Sequence, residues 1–253
     1  MISETSIQLN DDLKEFRVSI PQMLSIIDRA SKGIKPGLAM DYGCGPGVWS
    51  VCLGTRYDKV IGIDILESSL EAARKLALLN QQENVTLLNF LNSPTLPPAP
   101  VDLMIAIDVV EVMRSEHIHA MFQFAATHLG QGGRFLMTSR RPAGYIDALL
   151  SLSRFRHDGL LGGLRRYAAL TRSVVEALTE RRIDRGLRAR FYHHPNAILS
   201  LADEYGLCRL WHPKELENDP VFGAMDLHFW KPETQGFRSQ KHLDWYLFEK
   251  KAG

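Results

Sequence analysis

A glycine-rich segment near residue 45 has the residue types and spacing of a ligand-binding loop. Asp41 ends a short apolar run, and glycines follow at alternate positions, namely Gly43, Gly45 and Gly47. Glycine tolerates positive φ angles and lets a ligand approach the backbone closely. The dinucleotide fingerprint has its third glycine three residues after the second, whereas here that step is two residues. The segment therefore predicts a ligand loop that is not of the dinucleotide type.

The charge of Asp41 indicates which cofactor such a loop holds. A carboxylate at this strand end would repel a pyrophosphate, whereas it suits the cationic amino group of S-adenosylmethionine. Asp64 ends the next predicted strand, where a carboxylate can accept both hydroxyls of a ribose. NAD enzymes share that second feature, so the discrimination depends on the loop. We predict S-adenosylmethionine as the cofactor.

Residues beside these acids are expected to complete the cofactor pocket. Ile65 follows Asp64, and Ile107 and Asp108 end the fourth predicted strand. Two interpretations stay open for Asp108, because it can line the pocket or cap the strand.

These motifs resemble the class I S-adenosylmethionine-dependent methyltransferases, especially the subgroup with ubiquinone-pathway and other small-molecule enzymes. The resemblance rests on residues 41–47, 64, 92–97 and 101–111. In that family a strand-end aspartate, four residues before a Leu-Pro pair, binds the adenine amino group. This chain has Asn92 at that position. The resemblance implies that the Asn92 amide oxygen accepts from the amino group and that the Ser93 backbone N–H donates to a ring nitrogen.

Methyl transfer to a hydroxyl calls for a base, and histidine suits that task near neutral pH. The candidate catalytic residues, in order, are His194, His193 and His228, with His117 and His119 behind them. A surface or structural role is the alternative for each. The family's fourth strand usually continues into a Glu-His pair, but this sequence has Glu111-Val112 there. No role of that histidine is carried over.

An arginine-rich segment indicates an anionic partner. Residues 134–190 contain 13 Arg, no Lys and 5 acids, a net charge of +8 in a chain of net +1. The candidate acceptor-binding residues are Arg140, Arg154, Arg165, Tyr145 and Trp230. Arginines can clamp a carboxylate or phosphate of a small acceptor, or a basic amphipathic surface can contact an anionic membrane. A solvated helical lid is the plainest alternative. Nucleic acid is disfavoured because the rest of the chain is acidic.

The elements that must position these residues alternate between strands and helices. Apolar runs predict strands at 37–41, 59–64, 85–90, 101–107, 133–138, 208–211 and 243–249. Helical spacing predicts helices at 20–30, 48–53, 68–79, 115–128 and 195–205, and a glycine turn is expected at 130–133. Parallel strands need crossover connections, which are usually helical.

We therefore predict an α/β fold with a doubly wound, mostly parallel, seven-stranded Rossmann-like sheet. The chain is expected to form a single domain over residues 1–253. An N-terminal covering helix is expected within residues 1–36, and a helical substrate lid at residues 142–192, after the fifth strand.

Composition restricts the environment and the chemistry. The three cysteines lack the paired spacing of a zinc site and are too few for a disulfide framework. We therefore expect no metal. We find no leader pattern and no apolar run of bilayer length, so a cytoplasmic location is expected.

The expected function is O-methylation of a small anionic metabolite or glycan. Two alternatives stay open: a methyltransferase for a prenylated or lipid substrate at an anionic membrane surface, and a non-catalytic protein that binds S-adenosylmethionine. The oligomeric state is not predicted.

Overall fold

A seven-stranded sheet forms the centre of the computed structural model, which describes residues 7–91, 100–140, 195–211, 216, 219–222 and 243–251. The strands are β1 (Leu38–Tyr42), β2 (Lys59–Asp64), β3 (Val85–Asn89), β4 (Val101–Ala106), β5 (Leu129–Arg140), β6 (Leu207–Trp211) and β7 (Leu243–Lys250). Their order is β3-β2-β1-β4-β5-β7-β6. Strands β1 to β5 pair in parallel, and β7 runs antiparallel to both β5 and β6. The predicted mostly parallel sheet is confirmed.

Helices cover both faces of this sheet. They are α1 (Ile20–Ala30), α2 (Val48–Gly54), α3 (Glu67–Leu79), α4 (Ser115–His128) and α5 (Pro195–Glu204). On one face, α1 and α2 pack their buried side chains against alternate strand residues such as Ala39 and Ile105. On the other face, α4 and α5 pack against the residues between them, such as Met40 and Met104. Strands buried on both faces explain the near-continuous apolar runs in the sequence.

The N-terminal part of the chain is tied to the sheet layer by specific contacts. Helix α1 has the bounds that its apolar spacing and Pro21 predict, and a 3₁₀ helix that was not predicted, Asp11–Ser19, precedes it. Before that helix, the Gln8 backbone N–H donates to Asn80 Oδ1 at 2.8 Å, and Asn80 Nδ2 donates to the Gln8 carbonyl at 2.9 Å. These contacts hold the segment against the end of α3. The predicted lid at 142–192 lies outside the described residues.

Strand β5 starts earlier than the sequence predicts. The glycines at 130–133 were expected to form a turn before the strand, but they lie within Leu129–Arg140. The pairing with β4 shifts there, from Val101 opposite Leu129 to Leu103 opposite Arg134. The prediction of a separate turn is wrong because the extra residues form an irregularity in the ladder, which glycines accommodate well.

Candidate functional site

The glycine loop joins β1 to α2 at the carboxyl edge of the sheet. Gly43, Gly45 and Gly47 all have positive φ, at 74°, 52° and 84°. A Cβ on Gly43 would lie 2.4 Å from Val109 Cγ2, and one on Gly47 would lie 2.6 Å from Ala73 Cβ. A Cβ on Gly45 would meet nothing within 4 Å. Two of the glycines therefore allow close packing of the protein itself, and Gly45 faces the open space where a ligand can approach.

Asp41 lies beneath this loop, with only 2% of its surface exposed. The Ser50 hydroxyl of α2 donates to Asp41 Oδ2 at 2.6 Å. Burial raises the pKa of Asp41 to about 7, the Ser50 hydrogen bond opposes that shift, and the nearby charge of Asp64 adds to it. Within the described part of the chain, no cation forms an ion pair with Asp41. A cation bound above the loop would therefore be stabilised by this carboxylate, and would in turn favour its ionised form.

Asp64 connects the end of β2 to the glycine loop. Its Oδ2 accepts the Gly45 N–H at 2.9 Å, and its Oδ1 accepts the Leu66 N–H at 2.9 Å. Each carboxylate oxygen keeps a further lone pair, so Asp64 can still accept the two hydroxyls of a ribose. Ile65, also predicted for the cofactor, is 57% exposed beside it.

Exposed apolar side chains also follow β3, the strand next to β2. Phe90 and Leu91 are both exposed, Leu91 to 73%. The Phe90 N–H donates to the Asp64 carbonyl at 2.9 Å, so the two strand ends are held together. Phe90 is 38% exposed because its ring also packs against Tyr42 and Phe124. The exposed apolar surface that remains at this strand edge suits the flat face of a base.

Neither Phe90 nor Leu91 was predicted for the site. Phe90 ends the strand predicted at 85–90 and Leu91 follows it, and this position at a strand end could have indicated them. The predicted adenine ligands, Asn92 and Ser93, come next in the chain and lie outside the described residues.

Asp108 follows β4 at the same edge. It has a φ of 58°, which is uncommon for a residue other than glycine. Its backbone N–H donates to Thr138 Oγ1 at 2.9 Å, and Thr138 is wholly buried in β5. Ile107, the residue before it, is buried in the core. Strained residues cluster at functional sites, so the conformation agrees with a role for Asp108 in the pocket. Thr138 was not predicted.

The acceptor side is described only in part. Arg140 is the last residue of β5 and pairs with Leu243 of β7. The other predicted acceptor residues, Arg154, Arg165, Tyr145 and Trp230, lie outside the described residues, as do His194, His193 and His228. The lesser candidates His117 and His119 are exposed on α4. The structure therefore places the described cofactor candidates at one edge of the sheet, whereas Asn92, Ser93 and the base stay predictions.

The cysteines near the loop have structural surroundings. Cys44 and Cys52 are buried, and burial raises the pKa of both thiols above the usual cysteine value. Cys52 Sγ lies 3.9 Å from Met23 Sδ in the core. Such thiols are unreactive because the thiolate is the nucleophile.

The described residues fit S-adenosylmethionine. Open space above Gly45 leaves room for the ligand. Asp64 offers acceptors for the ribose, Phe90 offers an apolar surface for the base, and Asp41 offers a negative charge to a cation. When bound, this cofactor supplies a methyl group activated by a sulfonium. The chain's own residues hold and orient it.

A family model described as a methyltransferase domain matches residues 39–133. This span runs from β1 through the glycine loop, Asp64 and Asp108 into β5. Residues 39–133 are thus similar to a methyltransferase domain over the part of the chain that holds the candidate cofactor site.

Several solved structures share the fold of this chain at low sequence identity. A putative S-adenosylmethionine-dependent methyltransferase from Listeria monocytogenes has a TM-score of 0.60 at 13% identity, covering 92% of this chain and 99% of that one. Magnesium protoporphyrin IX methyltransferase from Synechocystis PCC 6803, with bound S-adenosylhomocysteine, has a TM-score of 0.55 at 17% identity, covering 96% and 88%. A geranyl diphosphate methyltransferase has a TM-score of 0.57 at 13% identity, covering 91% and 78%.

These likenesses show that the chain shares the fold of these proteins. Among the helices of the described ranges, none is long and apolar enough to cross a membrane.

Proposed function

We propose that this protein is a methyltransferase, which transfers the methyl group of S-adenosylmethionine to an oxygen of a small anionic acceptor, a metabolite or a glycan. The observation that carries the acceptor class is the segment of residues 134–190, with 13 Arg, no Lys and 5 acids. Arginine is always charged and presents a planar set of donors that match a carboxylate or a phosphate.

The strand order supports an orientation for the cofactor. Asp64, the carboxylate proposed to bind the ribose, is on β2, and the exposed Phe90 follows β3. Both strands lie on the same side of β1 and its glycine loop. With the nucleoside on that side, the cationic end of the cofactor lies near Asp41 on β1. The next strands in the sheet are β4, β5 and β7. The activated methyl group is therefore offered toward Asp108 and Arg140.

This orientation is consistent with the position of Arg140. Arg140 ends β5 at the carboxyl edge, and the arginine-rich segment continues from it along the chain. An anionic acceptor held by arginines at this point would lie on the methyl side of the cofactor. Holding the two reactants in line supplies much of the rate enhancement in such a transfer. His194, then His193 or His228, remains the proposed base for a hydroxyl acceptor.

Two of the structural neighbours are named for magnesium protoporphyrin IX and for geranyl diphosphate. The same fold thus accommodates acceptors that carry acidic groups on an apolar body. The names of these neighbours make an anionic acceptor feasible for this fold. The arginine-rich segment remains the observation on which the proposal rests.

A methyl-transfer screen tests the proposal. Metabolite and glycan extracts, separated by anion exchange, would be incubated with the protein and S-adenosylmethionine carrying a radiolabelled methyl group. We expect labelled product from the fractions that the anion exchanger retains. The label should be released by the treatments that cleave methyl esters or ethers. Asp64→Ala is the control, because it removes the proposed ribose contact and should abolish labelling. Label confined to neutral fractions, or found on nitrogen, would contradict the proposed acceptor class.

A further inference from the structure

Two tryptophans from distant parts of the chain meet beside the cofactor loop. Trp49 is the second residue of α2, two residues after Gly47, and Trp245 is in β7. Their ring centroids are 6.3 Å apart and the ring planes are tilted by 57°. Both belong to the core cluster on the α1 and α2 face of the sheet.

The indole nitrogens of both residues are buried donors without a partner. Trp49 is 8% exposed and Trp245 is 2% exposed. In the described part of the chain, five buried side-chain polar atoms have no hydrogen-bond partner, and the two nitrogens among them are Trp49 Nε1 and Trp245 Nε1. An indole N–H only donates, and leaving a buried donor unpaired is costly. Two such groups on touching rings indicate a site that a ligand completes.

Their place in the sheet puts this indole pair on the acceptor side. Trp245 lies opposite Thr138 of β5, and Thr138 Oγ1 accepts the Asp108 N–H at 2.9 Å. Strand β7 is separated from β1 by β4 and β5, so Trp245 lies on the side of the sheet that the proposed orientation assigns to the acceptor.

The surroundings of the indole pair define the ligand chemistry. Phe222 packs edge-on against Trp245, with 5.4 Å between ring centroids. Aromatic walls favour a flat apolar body. Two donors that carry no charge favour oxygen atoms with free lone pairs.

We propose that Trp49 and Trp245 form an acceptor subsite, in which each indole N–H group donates to a carboxylate or carbonyl oxygen of a flat apolar molecule. This inference rests on the proposed function, because it takes the methyl side of the cofactor from that orientation. The oxygen bound here is distinct from the one that receives the methyl group.

Nuclear magnetic resonance of the indole N–H groups tests the subsite. The protein, saturated with S-adenosylhomocysteine and labelled with ¹⁵N at tryptophan, would be titrated in parallel with benzoate, benzamide and toluene. We expect saturable downfield shifts of the Trp49 and Trp245 N–H protons with benzoate or benzamide, and not with toluene. A response to benzoate alone identifies a carboxylate, and a response to benzamide as well identifies a carbonyl oxygen as sufficient.

Trp→Phe variants assign the signals and measure the contribution of each donor. Trp49→Phe and Trp245→Phe should each weaken binding of the responding probe about tenfold, as expected for loss of a hydrogen bond. Trp211→Phe is the matched control, because it removes an indole from the same aromatic cluster whose nitrogen is not among the buried unpartnered atoms. It should leave probe binding unchanged.

The outcomes separate this inference from the proposed function. If S-adenosylhomocysteine binds but no oxygen-bearing probe moves the two signals, the subsite is wrong and the cofactor assignment stands. Equal shifts with toluene would also overturn it. If S-adenosylhomocysteine alone shifts both signals and the probes add nothing, the indole pair belongs to the cofactor site. Failure of S-adenosylhomocysteine to bind would overturn the proposed function itself.

Discussion

Asp41 shows how burial gives a single residue its functional property. The sequence places an acid before the glycines, and the structure adds that Ser50 is its hydrogen-bond partner and that water is almost excluded from it. A carboxyl with a pKa of about 7 is poised between its neutral and charged forms at physiological pH. A cation at the loop would favour the charged form. Cofactor binding and the ionisation of Asp41 are therefore expected to be coupled.

Asp41→Asn should weaken S-adenosylmethionine binding by about 1.5–3 kcal/mol, the range for a hydrogen bond to a charged group. The change keeps the size of the side chain and removes its charge. Calorimetric titration at pH 7.5 measures the effect. Asp28→Asn is the control, because it removes the same charge from an exposed position on α1 that pairs with Arg56. Unchanged affinity in Asp41→Asn would show that this acid does not contribute to the site.

The pH dependence of the unliganded protein should carry the signature of Asp41. The pKa of Asp41 is raised from 3.8 to about 7 in the folded chain. At pH values between these two, Asp41 is protonated in the folded state and ionised in the unfolded state. Stability from this group is fully present below pH 3.8 and is lost as the pH rises through 7. Cofactor affinity should change in the opposite direction and increase from pH 6 to pH 7.5.

Urea unfolding of the wild type and of Asp41→Asn, compared at pH 5 and pH 8, measures this linkage. The difference in unfolding free energy between the two proteins should shift in favour of the variant at the higher pH. A difference that is the same at both pH values would be inconsistent with a buried, protonated Asp41.

Between the elements β1 and α2, the connecting loop needs glycine for two different reasons. Gly47 must let α2 pack against Ala73 of α3, whereas Gly45 has free space above it. Asp64 holds the loop through the Gly45 N–H. The loop geometry is therefore fixed from both sides by the protein.

Alanine substitutions should separate these two requirements for glycine. Gly47→Ala combines a left-handed φ with a clash against Ala73, so we expect a loss of about 2–4 kcal/mol in unfolding free energy. Gly45→Ala carries only the backbone penalty, about 1–2 kcal/mol, but its methyl group occupies the ligand space. Urea unfolding and cofactor titration would be measured on both variants. Full cofactor affinity in Gly45→Ala would disagree with the assigned ligand position.

The contact between β5 and the end of β4 is a second arrangement of elements that the site needs. Thr138→Val is nearly isosteric but leaves the Asp108 N–H without its acceptor, which should cost about 1–2 kcal/mol of stability. Thr138→Ser retains the hydroxyl and should lose much less. Thermal unfolding of both variants makes the comparison. Equal losses would mean that packing of the Thr138 methyl group, and not the hydrogen bond, explains the effect.

Across the whole molecule, features that depend on neighbouring residues were predicted from the sequence more often than features that depend on contacts between distant residues. Helices α1 and α4 have the predicted bounds, because their apolar spacing depends on neighbours within a few residues. The positions of the glycines and acids at the strand ends were also predicted from the order of residues within each segment. The early start of β5 was missed because its first residue pairs with Val101 of β4, which no local pattern records.

Contacts between distant residues explain what else the sequence could not predict. Thr138 meets Asp108 from 30 residues away, and Trp49 meets Trp245 across most of the chain. Such pairs depend on strand order, which is decided by the packing of the complete sheet. The predictions for His194 and for the arginines at 142–192 concern residues outside the described ranges, and they remain open to experiment.

Calorimetric titration with S-adenosylmethionine and, separately, with NAD distinguishes the proposed cofactor from a dinucleotide. The geometry of the loop, with its two-residue glycine step and the buried Asp41, predicts saturable one-to-one binding of S-adenosylmethionine and no detectable binding of NAD. Saturable binding of NAD in the absence of S-adenosylmethionine binding would contradict the assignment of this loop to S-adenosylmethionine.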